Sequence, residues 1–314
     1  MRPNNFPPII CLLGPTASGK TNLSFSLAEQ FPIEIINVDS AQIYQGLDIG
    51  SGKPSLAQRN KVPHHLMDIL DASKPYSAAE FCRDAIKAIS EIRLRGRTPL
   101  LVGGTMLYFK VLQQGLSVLP SSDPDIRRKL NHMMQANGLD VLYQQLQAVD
   151  PVRAKQLSPT DPQRIQRALE IYEMSGKTMT EWLSSPPVVS HPFCFLNIGL
   201  VCNETPRFVL HQRIEARFDQ MLADGFIKEV QALYQRGDLD VAMPAIRAVG
   251  YRQAWQYLTK ELSYDEMREK SIAATRQLAK RQLTWLRHWP DLLPLEFDDP
   301  QLLAKVAPHF NQQS

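Results

Sequence analysis

The sequence contains no apolar run that approaches the roughly 20 residues a membrane-spanning helix needs. Its first residues carry a single charge and no small-residue cleavage site, and the apolar stretch from Ile9 to Leu13 is too short for the core of a signal peptide. We therefore expect a cytoplasmic protein without a membrane partner.

Cysteine is scarce, with four residues in a chain of 314, and no two of them form a C-x-x-C pair. This number and spacing argue against a disulfide framework or a zinc site. Cys11 lies inside an apolar run, which favours a buried free thiol. The chain is nevertheless long enough to bury a sizeable hydrophobic core without such supports.

The chain also has no large excess of either charge. Its formal net charge of +3 is too small to indicate a nucleic-acid partner by itself. The distribution is uneven, since segment 247–289 holds nine basic residues against four acidic ones. The basic residues are Arg247, Arg252, Lys260, Arg268, Lys270, Arg276, Lys280, Arg281 and Arg287. This basic C-terminal part is compatible with a polyanionic partner but does not identify one.

Apolar runs and amphipathic stretches alternate over the first 105 residues. The predicted strands are Ile9 to Leu13, Ile33 to Val38 and Pro99 to Val102, and the predicted helices are Thr21 to Gln30 and Tyr76 to Arg95. Such alternation predicts a parallel α/β sheet, whose ligands bind at the carboxyl ends of the strands. Gly14, Asp39 and segment 103–105 follow three of these strands. We therefore expect them to share one crevice.

Helical periodicity replaces this alternation from about Ser121, and no further strand is predicted until Phe195 to Val201. The pattern predicts an all-helical insertion over 121–194, set into an α/β core made of 1–120 and 195–314. The core after the returning strand is again predicted to be helical, with helices at Thr205 to Ala223, Phe226 to Arg236 and Tyr264 to Trp289.

The most specific motif is G-x-x-x-x-G-K-[ST], formed by Gly14-Pro15-Thr16-Ala17-Ser18-Gly19-Lys20-Thr21 between a predicted strand and a predicted helix. Its backbone N–H groups and the helix N-terminus can hold phosphate oxygens. Lys20 would neutralise charge, and the Thr21 hydroxyl would contact Mg²⁺. The motif predicts a P-loop NTPase-like core and a di- or polyphosphate site, without saying which phosphate compound binds.

Two further strand ends carry candidate catalytic groups. Asp39 could accept a proton or a hydrogen bond from a substrate amine across the crevice, or it could cap the next turn or hold Mg²⁺ through water. Thr105 follows Gly103-Gly104, and its hydroxyl could face the same crevice, although a glycine pair is also typical of a simple turn.

Three groups of arginines have two interpretations each. Arg213 and Arg217 are one helical turn apart and could clamp a diphosphate or form ion pairs with Glu215 or Asp219. Arg164 and Arg167 begin a predicted helix and could stabilise charge there or bind a ligand; because arginines at this end are unfavourable for the helix dipole, the ligand role is favoured. The segment Arg247 to Arg252 places an aromatic residue between basic ones, which suits phosphate contacts and base stacking, or an ordinary surface.

Further stretches complete an ordered series of motifs: Asp39 to Tyr44, Pro63 to Leu66, Tyr76 to Phe81, Val102 to Thr105, Asp161 to Glu170, Arg247 to Arg252 and Ala279 to Trp285. Together with the phosphate loop, this series resembles the tRNA dimethylallyltransferase family over nearly the whole chain. No Cys/His cluster follows Trp289, which favours the bacterial type.

The resemblance implies a prenyltransferase in which the phosphate loop grips dimethylallyl diphosphate rather than ATP. The acceptor would be N6 of the adenosine 3′ of the anticodon, position 37, in tRNAs that read codons beginning with U. It also implies Mg²⁺ at Thr21 and a helical insertion that helps to grip the anticodon stem-loop. We expect a monomer.

The resemblance likewise assigns residues. Catalysis would fall to Asp39, Thr105 and Lys20, and diphosphate binding to Gly14, Pro15, Thr16, Ala17, Ser18, Gly19, Lys20, Thr21 and Arg217. Contacts to tRNA would come from Asp39, Ser40, Ala41, Gln42, Thr105, Arg127, Gln163, Arg164, Ile165, Gln166, Arg167, Arg247, Ala248, Val249, Gly250, Tyr251 and Arg252.

Three other functions remain open at this point. An isopentenyltransferase that acts on free AMP or ADP would share the core, although the insertion and the segment Arg247 to Arg252 favour a macromolecular acceptor. An ATP-dependent small-molecule kinase would share the phosphate loop, but the sequence shows no strand ending in an evident Walker-B acid. A non-catalytic RNA-binding protein would not need Lys20, Thr21 and Asp39.

Overall fold

The structure is a computed structural model that describes residues 7–115, 117, 119–189 and 191–311. The chain divides into two compact units. The first comprises 1–113 and 191–314, and the second comprises 114–190. Among the described residues, no helix combines the length and the apolar character needed to cross a bilayer.

A six-stranded parallel sheet forms the centre of the first unit. Its strands are β1 (Ile9–Leu13), β2 (Ile33–Val38), β3 (His64–His65), β4 (Thr98–Gly103), β5 (Phe195–Val201) and β6 (Leu292–Glu296). They lie in the order β3-β2-β4-β1-β5-β6, with every neighbouring pair parallel. Strands β1 and β2 are buried along their full length, as continuous apolar runs of a two-sided parallel sheet should be.

Helices of the first unit connect and cover these strands. They are α1 (Lys20–Ala28), α2 (Leu56–Lys61), α3 (Ala78–Leu94), α4 (Met106–Gln114), α10 (Arg207–Ala223), α11 (Phe226–Gln235), α12 (Tyr251–Leu258), α13 (Tyr264–Arg287) and α14 (Leu302–Val306). Two of the long helices begin at capping boxes, with Ser77 and Glu80 at α3 and Ser263 and Glu266 at α13. Each pair satisfies N–H groups that the first helical turn would otherwise leave unbonded.

In its described part, the second unit consists of five helices and the loops that connect and flank them. It contains α5 (Pro124–Asn137), α6 (Leu139–Val149), α7 (Pro151–Gln156), α8 (Pro162–Ser175) and α9 (Met179–Leu183). Three of these helices start with an aspartate cap followed by proline, at Asp123, Asp150 and Asp161. Its core is formed by Leu130, Leu142, Leu146, Ala154, Leu157, Ile165, Ala168 and Leu169.

The prediction of a parallel α/β core is confirmed, and β1, β2 and β5 have the predicted bounds. The prediction missed β3 and β6, which are the two edge strands of the sheet. Strand β3 has only two residues, and β6 contains Pro294, which is tolerated in a sheet mainly at an edge. Neither strand therefore has the apolar run by which a central strand is recognised.

Candidate active site

The carboxyl ends of β1, β2 and β4 border a cavity of about 570 Å³ whose lining belongs entirely to the first unit. The predicted crevice is present, with Asp39, Gly103 and Gly104 in its lining. The predicted site residues that line it are Thr16, Ala17, Ser18, Gly19, Lys20, Thr21, Asp39, Ala41, Gln42, Arg217, Ala248, Val249, Gly250 and Tyr251. Gly14, Pro15, Ser40, Thr105, Arg247 and Arg252 lie outside the lining, next to it in sequence.

The phosphate loop joins β1 to α1 and folds around the Lys20 ammonium group. Lys20 Nζ donates to the carbonyl oxygens of Gly14 at 2.9 Å and Pro15 at 2.6 Å, and to Ser18 Oγ at 3.3 Å. The loop ends in a left-handed residue, Gly19 at φ 86°, directly before α1. This arrangement holds the lysine and the N-terminus of α1 at one wall of the cavity, where both favour an anion.

Arg217 reaches the same loop from α10. Its Nη1 donates to Thr16 Oγ1 at 2.9 Å. The ion pairs considered as an alternative for this arginine are formed by other residues, since Glu215 and Asp219 bind Arg268 and Arg276. The guanidinium of Arg213, on the same helix, lies 4.6 Å from the centre of the Phe297 ring. Arg217 is thus the α10 arginine that is held against the phosphate loop.

Lys20 and Arg217 concentrate positive charge in a partly closed space. Burial, together with the neighbouring Arg217 charge, lowers the pKa of Lys20 to about 7, although Asp39 opposes the shift. Burial also lowers the pKa of Arg217, and Asp39 again opposes this. Both cations would be better stabilised by an anion bound between them. The electrostatics of the cavity therefore favour a polyphosphate or diphosphate ligand.

The ends of β2 and β4 are joined beside this site. Asp39 Oδ1 accepts the N–H groups of Ala41 at 2.8 Å and Gln42 at 3.4 Å, so the capping role considered for Asp39 is present. Thr105 Oγ1 accepts the N–H of Ser40 at 3.1 Å. Both Asp39 bonds use Oδ1, and this leaves Oδ2 to interact with a substrate amine. A capping role and a catalytic role are therefore compatible.

The loop 48–52 packs against Arg217 and is held by a residue that sequence analysis missed. Glu229 on α11 accepts the backbone N–H groups of Asp48, Ile49 and Gly50 at 2.6–3.1 Å. A Cβ at Gly52, whose φ is 64°, would lie 1.8 Å from Arg217 Nη2, so only glycine allows this close contact. Glu229 therefore positions the loop that confines the Arg217 guanidinium.

Tyr251 belongs to the same structural group, which corrects the base-stacking role expected for it. Its side chain is fully buried, and its hydroxyl donates to Glu229 Oε1 at 2.6 Å and accepts the N–H of Ser51 at 3.1 Å. Burial and the Glu229 carboxylate raise the pKa of Tyr251 well above its usual value. Arg247 and Arg252, in contrast, are exposed and can reach a ligand in solution.

The predicted tRNA contacts on the insertion lie on α5 and α8 in the second unit. Arg127 and Arg167 both approach the fully buried Glu170 carboxylate, at 3.6 and 2.9 Å. Ile165 is also fully buried in the core of this unit, so its side chain cannot make the predicted contact with RNA. Gln163 and Arg164 are exposed at the start of α8, and Gln166 Nε2 donates to Asn131 Oδ1 at 2.9 Å.

The donor set fits a magnesium ion that shares its ligands with a bound phosphate. Thr21 is exposed at the start of α1 and lines the cavity. Within the described ranges, no group of three His, Cys, Asp or Glu side chains could hold a metal ion by itself. Mg²⁺ commonly keeps several waters and binds through one or two protein oxygens plus substrate phosphates. A single hydroxyl beside a phosphate loop suits that mode.

Removing the Glu229 side chain should weaken diphosphate binding, because the loop that confines Arg217 loses its acceptor. We expect Glu229→Ala to raise the Kd for inorganic pyrophosphate about 10-fold, which corresponds to about 1.4 kcal/mol. Glu229→Gln, which keeps one acceptor oxygen, should give an intermediate value. Isothermal titration calorimetry measures both.

The control is Glu269→Ala, which removes an exposed glutamate from α13 and should leave the Kd unchanged. If the negative charge of Glu229 mattered more than its hydrogen bonds, Glu229→Ala and Glu229→Gln would both bind pyrophosphate more tightly than the wild type. That result would contradict the positioning role.

Comparison with known proteins gives a consistent result. A family profile described as IPP transferase matches residues 42–289. The chain is 50% identical over 304 residues to a tRNA dimethylallyltransferase of Coxiella burnetii strain Dugway 5J108-111, covering 97% of each chain. A tRNA dimethylallyltransferase of Coxiella burnetii strain RSA 331 is 51% identical over the same coverage.

Solved structures are similar as well. The crystal structure of a tRNA isopentenylpyrophosphate transferase from Bacillus halodurans superposes with a TM-score of 0.70 at 33% identity, covering 98% of this chain and 97% of that one. A eukaryotic dimethylallyltransferase acting on tRNA gives a TM-score of 0.78 at 30% identity, covering 96% of this chain and 77% of that one. With the parallel sheet, the phosphate loop and this extent of identity, the chain belongs to the IPP transferase family.

Proposed function

We propose that this protein transfers the dimethylallyl group of dimethylallyl diphosphate to N6 of adenosine 37 in tRNAs that read codons beginning with U, and releases diphosphate. The observation that carries the proposal is the cavity in which Lys20, Arg217 and the phosphate loop face Asp39. Its 50% identity to tRNA dimethylallyltransferases over 97% of the chain supports the same reaction.

The diphosphate would lie on the phosphate loop, where negative charge grows as the allylic C–O bond breaks. Lys20, Arg217 and the N-terminus of α1 stabilise that charge, and fixed donors in a partly closed cavity act without reorganising. Mg²⁺ held by the Thr21 hydroxyl and phosphate oxygens would neutralise further charge on the departing diphosphate. The loop therefore makes diphosphate a better leaving group.

The acceptor is a weak nucleophile, because the N6 amine is conjugated with the purine. As the N6–C bond forms, the amine loses a proton, and Asp39 is placed to accept it or to hydrogen-bond the amine. Apolar lining residues can surround the five-carbon dimethylallyl group: Ile35, Met67, Val102, Ile214, Phe218, Met221 and Leu278. The base must leave its stack in the RNA to reach this cavity.

The acceptor and donor are tested together by incubating the protein with Mg²⁺, radiolabelled dimethylallyl diphosphate and unmodified tRNA, followed by digestion to nucleosides. We expect label in N6-dimethylallyladenosine, recovered from the anticodon loop. If AMP accepted the label as well as tRNA does, the acceptor would be a free nucleotide rather than tRNA. Phosphate transfer from ATP without prenyl transfer would support the kinase function, and RNA binding without either reaction would support a binding protein.

Two exposed arginines provide a test of the RNA contact. If Arg247 and Arg252 contact phosphates, replacing each by alanine should raise the KM for tRNA and reduce the slope of log K against log salt by about 1. The Kd for pyrophosphate should not change. Arg83→Ala, which removes an exposed arginine from α3, is the matched control and should keep the wild-type slope. Wild-type slopes in both arginine variants would remove Arg247 and Arg252 from the interface.

A further inference from the structure

Gln282 connects two parts of the active site that are distant in sequence. It lies on α13, its side chain lines the cavity, and the residue is only 7% exposed. Its Oε1 accepts the backbone N–H of Thr16 at 2.9 Å, and its Nε2 donates to the carbonyl oxygen of Gly104 at 2.9 Å. Both ends of one amide are therefore bonded to backbone groups of different active-site loops.

The backbone around Gln282 leaves little room for any other arrangement. A Cβ at Gly104 would lie 2.3 Å from Gln282 Nε2 and 3.3 Å from the Gly14 carbonyl oxygen. Glycine at this position therefore permits the amide to approach the β4 end closely. The contact depends on this close approach, because a buried amide must find partners for both its N–H and its oxygen.

Each of the two loops carries a different part of the reaction. Thr16 belongs to the phosphate loop and accepts a hydrogen bond from Arg217, on the diphosphate side. Gly104 precedes Thr105, which bonds Ser40 next to Asp39, on the acceptor side. A continuous chain of contacts thus runs from Arg217 through Thr16, Gln282 and the turn 104–105 to Ser40.

The bond from Thr16 has a second consequence. The Thr16 N–H is directed to Gln282, so it is not one of the loop donors that hold the diphosphate. The diphosphate must rely on the remaining loop N–H groups, Lys20 and Arg217. Loss of the Gln282 amide should therefore leave the affinity for diphosphate largely intact, while the loop becomes free to shift relative to the acceptor side.

We propose that Gln282 is a positioning residue that fixes the distance between the diphosphate-binding loop and the acceptor side of the site at Asp39 and Thr105. This inference rests on the proposed transfer reaction. A displacement needs its reacting atoms about 3–3.5 Å apart, and a misplacement of about 1 Å can lower the rate about 100-fold. Gln282 would hold the two substrates within that limit without touching either of them.

The test is Gln282→Met, which keeps the length of the side chain and removes both hydrogen bonds. We expect kcat for prenyl transfer to tRNA to fall about 100-fold. The KM values for tRNA and dimethylallyl diphosphate, and the Kd for inorganic pyrophosphate, should stay within about threefold of wild type, since Gln282 is not assigned to bind either substrate.

The matched control is Gln113→Met on α4. Gln113 exchanges two side-chain hydrogen bonds with Asn197, at 2.6 and 3.1 Å, and does not line the cavity. This variant loses a comparable pair of bonds and should keep the wild-type kcat. Gly104→Ala is a second variant, because its Cβ displaces the Gln282 amide from the opposite side. It should show the same fall in kcat with unchanged pyrophosphate binding.

Three results would overturn the inference. The first is a wild-type kcat in both Gln282→Met and Gly104→Ala. The second is a loss of pyrophosphate affinity as large as the loss of kcat, because Gln282 would then support binding rather than position. The third is a wild-type protein that transfers no label to tRNA, which would remove the proposed function together with this inference. The first two results leave prenyl transfer by the wild type intact, so the two failures are distinguishable.

Discussion

Two cations held close together at the end of a parallel sheet are the constraint on which the rest of the site depends. Burial lowers the pKa of both Lys20 and Arg217, and the Arg217 charge lowers the pKa of Lys20 further. Placing charges in a partly closed cavity is unfavourable unless an opposite charge or good hydrogen bonds compensate. An enzyme that binds a diphosphate and must stabilise it as a leaving group gains from this arrangement, because the ligand supplies the missing negative charge.

Much of the surrounding structure serves to keep these cations in place. The loop 48–52 closes against Arg217, and Glu229 on α11 holds that loop through three backbone N–H groups. Gln282 on α13 has a different role, because it links the phosphate loop to the turn at Gly104 on the acceptor side. The helices that follow β5 therefore contribute to the same cavity as the strands that precede it. The family profile, which matches residues 42–289, accordingly includes both Glu229 and Gln282.

The sequence predicted those strands and motifs whose pattern lies within a short stretch of the chain. Strand β5 was predicted with the bounds that the structure shows, because an apolar run between turns marks a buried strand. The phosphate loop was recognisable because its glycines, Lys20 and Thr21 must stand at fixed spacing. The two edge strands gave no such signal, since β3 is too short and β6 contains a proline.

Contacts between distant segments could not be predicted in this way. Tyr251 has the composition of an RNA-binding motif around it, yet it is buried and bonded to Glu229, 22 positions away. Gln282 lies in a stretch that resembles the family, but its partners are 266 and 178 positions away in the chain. Such partners depend on how the helices pack on the sheet. Hydrophobic periodicity predicts only that a residue faces inward, not which distant residue it contacts. Glu229 and Gln282 were therefore missing from the predicted site.

The ionisation of Lys20 is the most direct test of the central claim, that two neighbouring cations prepare this cavity for a diphosphate. Lysine labelled with ¹³C at Cε, with the Lys20 signal assigned by Lys20→Arg, can be titrated by NMR with and without saturating pyrophosphate. We predict a Lys20 pKa of about 7 in the free protein and a clearly higher pKa when pyrophosphate is bound. If Lys20 titrates near the ordinary value of 10.5 in both states, the two cations do not prepare the cavity for a diphosphate.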